Sequence, residues 1–274
     1  MGSHARPPSP PVDGNGIHLP RDLPPLRILF LYPDFLNVYG DRGNLTALVQ
    51  RARWRGLPTT VTEASVGTPV DATHFDLVLV AGGQDRAQQA VAEDFRRSKG
   101  PSLIEAVEAG CPVLAICGGY QLMGHFYRTA EGTEMKGLGL FDAWTEAGGR
   151  RMIGNVAVRA ELGDARPLLV GFENHSGRTT LGARARPLGR VLYGYGNNGS
   201  DGTEGARYRN AIGTYLHGSL LPKNPTLADW LLQAAVDRRY GQGIRLPPLD
   251  DTVEHQAREA MLRKLLGPPL LRGV

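Results

Sequence analysis

Pro112-Val113-Leu114-Ala115-Ile116-Cys117-Gly118-Gly119-Tyr120-Gln121-Leu122-Met123-Gly124 is the stretch from which the rest of the chain is read. Its first half is a short apolar run opened by a proline, the pattern of a buried strand. Two glycines follow Cys117, and Leu122, Met123 and Phe126 then recur at helical spacing. Cys117 therefore stands where a strand turns sharply into a helix. Such a turn exposes its central side chain and needs small residues two positions to either side, here Ala115 and Gly119. The dipole at the start of a helix favours a thiolate, and the N–H of Gly118 points where it can stabilise an oxyanion. A lone cysteine also has a plainer reading, as a small buried residue closing a core strand. A partner base elsewhere in the chain decides between the two.

A cysteine hydrolase takes its base from a distant part of the chain. Ile212-Gly213-Thr214-Tyr215-Leu216-His217-Gly218 reads as a strand that ends in a histidine beside glycine. Of the seven histidines, His4, His18 and His74 fall in tail or surface contexts, and His125 and His255 fall within helical patterns. His175, in Gly171-Phe172-Glu173-Asn174-His175-Ser176-Gly177, is the rival base.

The other strand patterns place this pair. Residues 26–32 form a buried strand, 45–52 a helix ended by Gly56, 59–62 a strand and 75–80 another strand, closed by Ala81-Gly82-Gly83-Gln84-Asp85. Helical stretches at 84–98 and 101–109 lead into the strand before Cys117. Alternating strands and helices predict an α/β fold, a mostly parallel sheet with helices on both faces and its functional crevice at the carboxyl ends of the strands. Strand patterns at 137–145, 152–160, 168–172, 190–195 and 209–215 predict an antiparallel extension of the same domain. A helix through Leu227, Trp230, Leu231, Ala234 and Ala235 follows. The last helix, 252–266, has Val253, Ala257, Ala260, Met261 and Leu265 on one face. The reading is a Pro/Gly-rich flexible tail over 1–25, a single domain over 26–266 and a short tail over 267–274.

Composition narrows the function. The 274 residues carry a formal charge of +4, scattered as Arg-Arg pairs with no aromatic-interleaved basic stripe, which argues against nucleic acid. No apolar run approaches the ~20 residues of a membrane span, and the tail lacks the apolar segment of a secretory signal. The two cysteines, Cys111 and Cys117, lie on one strand, too close in sequence to bridge without folding it back. Free thiols and a cytoplasmic location are expected.

Together these residues resemble the class I (triad-type) glutamine amidotransferases, a flavodoxin-like fold whose signature is Cys-x-Gly-x-Gln at the turn. The branch they resemble is the one shared with cobyric and cobyrinic acid synthases, and within it the glutaminase subunits of lipid II isoglutaminyl synthase, the GatD type. The resemblance covers about residues 26–240. It also rests on Asn37-Val38-Tyr39-Gly40-Asp41-Arg42-Gly43-Asn44, on the Gly82-Gly83 turn, on the segment around His175 and on Thr214-Tyr215-Leu216-His217-Gly218. It implies that Cys117 attacks the side-chain amide of L-glutamine, that His217 moves the protons, and that Gly83 and Gly118 form the oxyanion hole. Gln121 would line the glutamine pocket. Arg151, with Arg150 as the alternative, would hold the substrate.

The resemblance implies no metal and no cofactor in this chain. The expected partner is a Mur-ligase-like (MurT-type) subunit in a heterodimer, which would carry ATP and Mg. It would amidate D-glutamate of lipid II to D-isoglutamine. That fits the lack of a G-x-x-x-x-G-K-[ST] motif here. The alternatives are the glutaminase component of a cobalamin-type amidotransferase and a non-catalytic binding module on the same fold. One departure stands out. The wider family places Glu two residues after the histidine, whereas this chain has His217-Gly218-Ser219. The group that orients His217 is expected to be Glu173 or a carboxylate from the partner.

Overall fold

The computed structural model describes residues 19–270 apart from 21, 39 and 218, with side chains as far as 267. Most of the expected 1–25 tail, the last four residues, Tyr39 and Gly218 lie outside the described residues.

The elements in chain order are β1 (Leu26–Leu31), α1 (Arg42–Trp54), β2 (Thr59–Ala64), β3 (Leu77–Val80), α2 (Asp85–Asp94), α3 (Gly100–Glu108), β4 (Val113–Ile116) and α4 (Gly118–Met123). Then come β5 (Phe126–Arg128), β6 (Glu134–Lys136), β7 (Ala143–Ala160), β8 (Leu168–Leu181), β9 (Gly189–Tyr193), β10 (Thr203–Glu204), β11 (Ala206–Tyr208) and β12 (Ala211–Thr214). The chain ends in α5 (Leu220–Lys223), α6 (Pro225–Tyr240) and α7 (Thr252–Leu270), the last with a non-helical Gly267 inside its bounds.

The main sheet has the order β11-β12-β4-β3-β1-β2. Every pair is parallel except the edge pair β11–β12. Strands β3, β4 and β12 are buried along their whole length, and β1 at every position but Arg27. Continuous apolar runs such as Leu77-Val78-Leu79-Val80 are what a sheet covered on both faces demands. Only β2, at the edge, alternates with polar residues and is mostly exposed.

The second sheet is inserted between two neighbours of the first. Residues 126–204 leave the main sheet after β4 and α4, and the chain returns at β11 and β12. This sheet runs β10-β9-β7-β5-β6, with β8 also paired to β7. Its pairs are antiparallel except β5–β7. The long β7–β8 hairpin slips register between Ala147 and Met152, and such a bulge re-aims the side chains it carries.

Three expectations need correction. The 209–215 segment is not part of the antiparallel extension, because Ala211–Thr214 pairs parallel with β4 and restores the main sheet. The helix after Cys117 stops at Met123, and Phe126 begins β5 instead. The predicted face of the last helix is also wrong. Val253 is 74% exposed, while Leu262 and Leu266 are the buried residues of α7, with Met261 and Leu265 packed beside them. The N-terminal end of α7 is held by an ion pair instead. Asp251 meets Arg51 Nη1 at 2.6 Å, and Asp229 of α6 meets Arg51 Nε at 2.7 Å.

Candidate active site

Cys117 follows β4 directly and has φ 48° and ψ −104°. A non-glycine residue in that region is strained and is held there by its surroundings. Its N–H donates to Thr214 O at 2.8 Å, and its own carbonyl accepts from Gln121 N–H at 2.9 Å. The turn is tight: a β-carbon at Gly119 would lie 2.7 Å from the Val80 carbonyl oxygen. Only glycine lets α4 approach β3 that closely.

The base arrives from the far side of the insertion. Three residues beyond β12, the His217 N–H donates to Phe172 O at 2.7 Å and its carbonyl accepts from Phe172 N–H at 3.4 Å. His217 thus sits past the end of the strand and is clamped against β8. A β-carbon at Gly82 would lie 2.7 Å from His217 Cε1, 3.0 Å from Asp41 Oδ2 and 3.2 Å from Cys117 Cβ. The bare backbone at Gly82 is what allows these three side chains to converge.

The carboxylate beside His217 is Asp41. Its Oδ1 lies 3.4 Å from His217 Nδ1, both side chains are fully buried, and Oδ2 accepts from the Gly82 N–H at 2.9 Å. A carboxylate only accepts, so Nδ1 carries a proton and Nε2 is the nitrogen left for chemistry. Of the expected candidates, Glu173 is not the group beside His217; Asp41 stands there instead. Glu173 accepts from the N–H groups of Tyr195 at 2.7 Å and Gly196 at 2.9 Å, and it faces His175 at 3.7 Å rather than His217.

Electrostatics separates the two candidate bases. Burial opposes charge on His217, but the adjacent Cys117 sulfur and the Asp41 carboxylate outweigh it and raise the imidazole from 6.5 to about 10. Burial wins at His175 and lowers its pKa despite Glu173. His175 stacks on Tyr215, ring centroids 3.5 Å apart, and its Nδ1 lies 2.9 Å from Gly177 O. It is a wall of the site. Burial pushes the thiol of the other cysteine, Cys111, up to about 12.

Cys117 opens into a cavity of about 370 Å³. Gly83, Gln121 and Arg151 line it, and so does His175. Arg150 is not part of the lining. Arg151 belongs to the bulged part of β7, where its Nε donates to Asn174 Oδ1 at 2.5 Å. Gly118 starts α4 with its Cα hard against Gly83, since a β-carbon there would meet the Gly83 carbonyl at 2.9 Å. Gln121 donates from Nε2 to the Tyr215 hydroxyl at 3.1 Å, and its buried Oε1 has no hydrogen-bond partner among the described residues. Asp85, Arg86 and Tyr127 also line the cavity and were not singled out by sequence reasoning.

A second buried carboxylate supports the histidine segment. Glu204 Oε1 accepts from the Thr214 hydroxyl and from the Tyr215 N–H at 3.0 Å. Burial pushes its carboxyl up from 4.5 to about 7. The unfolded chain therefore ionises this group first as pH rises, and the folded state loses stability between about pH 4.5 and 7. Glu204→Gln is expected to remove that loss, on the order of 3 kcal/mol. Denaturant midpoints at pH 5 and pH 8 check it: the variant should gain on the wild type at the higher pH, and a pH-independent difference would refute the assignment.

The comparisons agree with this architecture. Residues 27–225 match the CobB/CobQ-like glutamine amidotransferase domain. The chain belongs to that family and is a glutamine amidotransferase. It is 41% identical over 239 residues to the Staphylococcus aureus lipid II isoglutaminyl synthase (glutamine-hydrolyzing) subunit GatD, covering 86% of this chain and 95% of that protein. The Streptococcus pneumoniae subunit of the same name is 38% identical over 85% of this chain and 89% of its own length. Among solved structures, PurLQS from Thermotoga maritima shares the fold at 14% identity with a TM-score of 0.53, covering 78% of this chain and 98% of the matched one. No helix among the described residues is long and apolar enough to cross a membrane.

Proposed function

We propose that this chain is the glutaminase subunit of a lipid II isoglutaminyl synthase, with Cys117, His217 and Asp41 as its catalytic triad. The observation that carries the reading is the convergence of those three side chains around Gly82, at the edge of a cavity of about 370 Å³. Two relatives named as glutamine-hydrolyzing subunits GatD of lipid II isoglutaminyl synthase, matched over most of their length, support the reading. In the reaction, the Cys117 thiolate attacks the side-chain amide carbon of L-glutamine. The developing oxyanion is met by the N–H groups of Gly118 and Gly83. His217 then protonates the departing ammonia from Nε2, leaving a glutamyl thioester. It next takes a proton from water, which hydrolyses the thioester to glutamate. Gln121, with its orphaned Oε1, accepts a hydrogen bond from the substrate amide. Arg151 pairs with the α-carboxylate.

The ammonia passes to a Mur-ligase-like, ATP-using subunit that amidates D-glutamate of lipid II. The test combines this chain with such a subunit, glutamine, ATP and lipid II. Glutamine hydrolysis without ATP, and amidation only with both subunits, is the expected result; amidation of a corrin acid instead would overturn the acceptor. Arg151→Ala is expected to raise KM for glutamine by about 10- to 100-fold, the worth of one charge-assisted contact. Alkylation of Cys117 by iodoacetamide should stay at the wild-type rate. An unchanged KM would pass the role to Arg86.

A further inference from the structure

The free amino acid that enters this cavity is a zwitterion, and the arginines answer only half of it. Of the residues that line the cavity, Asp85 is the acidic one; Arg86 and Arg151 are cationic. An ammonium taken out of water without an anionic or hydrogen-bonding partner is costly to bury. We propose that Asp85 binds the α-ammonium of the substrate and thereby sets the specificity for an α-amino acid. This rests on the glutaminase reading above.

Asp85 is the first residue of α2, directly after the Gly82-Gly83 turn. Its carboxylate is oriented from across the cavity: the Tyr127 hydroxyl of β5 donates to Oδ1 at 3.0 Å. The same hydroxyl interacts with Ser176 of β8, another residue of the lining. One such bond leaves the carboxylate most of its acceptor capacity. Among the described residues Asp85 is in no ion pair, so neither arginine of the cavity neutralises it. The three anchors also come from three separate elements: Cys117 from the turn after β4, Arg151 from β7 and Asp85 from α2. Three fixed points for amide, carboxylate and ammonium define one enantiomer. An acidic residue in the first turn of a helix also has an ordinary role, in which it complements the helix dipole. That role would make the residue matter for stability and not for substrate choice.

The two roles separate with glutaramate, which is glutamine without its α-amino group. For the wild-type chain, kcat/KM measured by ammonia release should favour L-glutamine over glutaramate by about 100-fold. In Asp85→Asn the value for L-glutamine should fall about 10- to 100-fold, mainly through KM, while glutaramate changes less than about threefold. Tyr127→Phe, which removes only the orienting hydroxyl, should lower the value for glutamine in the same selective way but to a smaller extent. Equal losses on both substrates, or no loss on either, would overturn the role of Asp85 and leave the glutaminase reading standing. No ammonia from either substrate with the wild-type chain would overturn the glutaminase reading and this proposal together.

Discussion

Cys117→Ser is expected to lower glutamine hydrolysis by about a thousandfold or more while the protein stays folded. Removal of a triad nucleophile costs on that scale or above it. The substitution changes little volume at a side chain only 7% exposed, and it keeps the backbone bonds that hold the turn, Cys117 N–H to Thr214 O and Gln121 N–H to Cys117 O. What it removes is the sulfur nucleophile. His217 owes its raised pKa in good part to the Cys117 sulfur. An imidazolium raised from 6.5 to about 10 contributes stability that is complete below about pH 6.5 and is lost as pH rises through about 10. A serine hydroxyl gives His217 no such support. The variant should therefore be inactive and should lose part of this pH-dependent stabilisation. Ammonia release together with urea midpoints at pH 7 and pH 10 checks both effects. Retained hydrolysis in a folded serine variant would remove Cys117 from the mechanism.

Asp41→Asn carries the second large effect, expected between about 100- and 10,000-fold in kcat with KM little changed. Loss of the orienting carboxylate in a Ser-His-Asp triad costs about 10,000-fold. The 3.4 Å separation from His217 Nδ1 is long for a hydrogen bond, which sets the lower end. The amide can keep the bond that Asp41 Oδ2 receives from Gly82 N–H and turn its NH2 toward His217. Nδ1 would then have to accept, and the tautomer would be reversed. Glu173→Gln is the contrast, because Glu173 braces Tyr195 and Gly196 and does not touch His217. Its kcat should stay far nearer the wild type. Steady-state rates of the two variants decide, and a larger loss in Glu173→Gln would reverse the assignment.

Asp41 also shows where the sequence stops being legible. An aspartate just ahead of a helix reads locally as an N-cap. Here Asp41 precedes α1 yet makes no cap hydrogen bond with its side chain; it turns instead to Gly82 and His217. Nothing local announces that, because the pair is created by β1 and β12 lying in one sheet. The main strands were legible because a strand buried on both faces must be continuously apolar, as Val113-Leu114-Ala115-Ile116 is. Cys117 was legible because close packing demanded Ala115 and Gly119 around it. His217 was legible by its place after an apolar segment, although the strand itself ends at Thr214. Strand β12 is only four residues long, and its sheet is decided by tertiary pairing rather than by pattern. Glu204 was missed for the same reason: its partners, Thr214 and Tyr215, are supplied by the chain's return to the main sheet. The face of α7 failed because a helix tethered by the Asp251–Arg51 ion pair need not bury an apolar stripe along its length.

A triad of Cys117, His217 and Asp41 would activate the thiol within this chain alone, without a carboxylate from a partner. The most direct measurement labels the isolated chain with an L-glutamine analogue carrying a chloromethyl ketone in place of the side-chain amide, followed by peptide mass mapping over time. Label is expected on Cys117 and not on Cys111, whose buried thiol is pushed up to about 12. L-glutamine should protect Cys117, and Asp41→Asn should be labelled more slowly. Label on Cys111, or labelling of Cys117 at the same rate with and without Asp41, would contradict it.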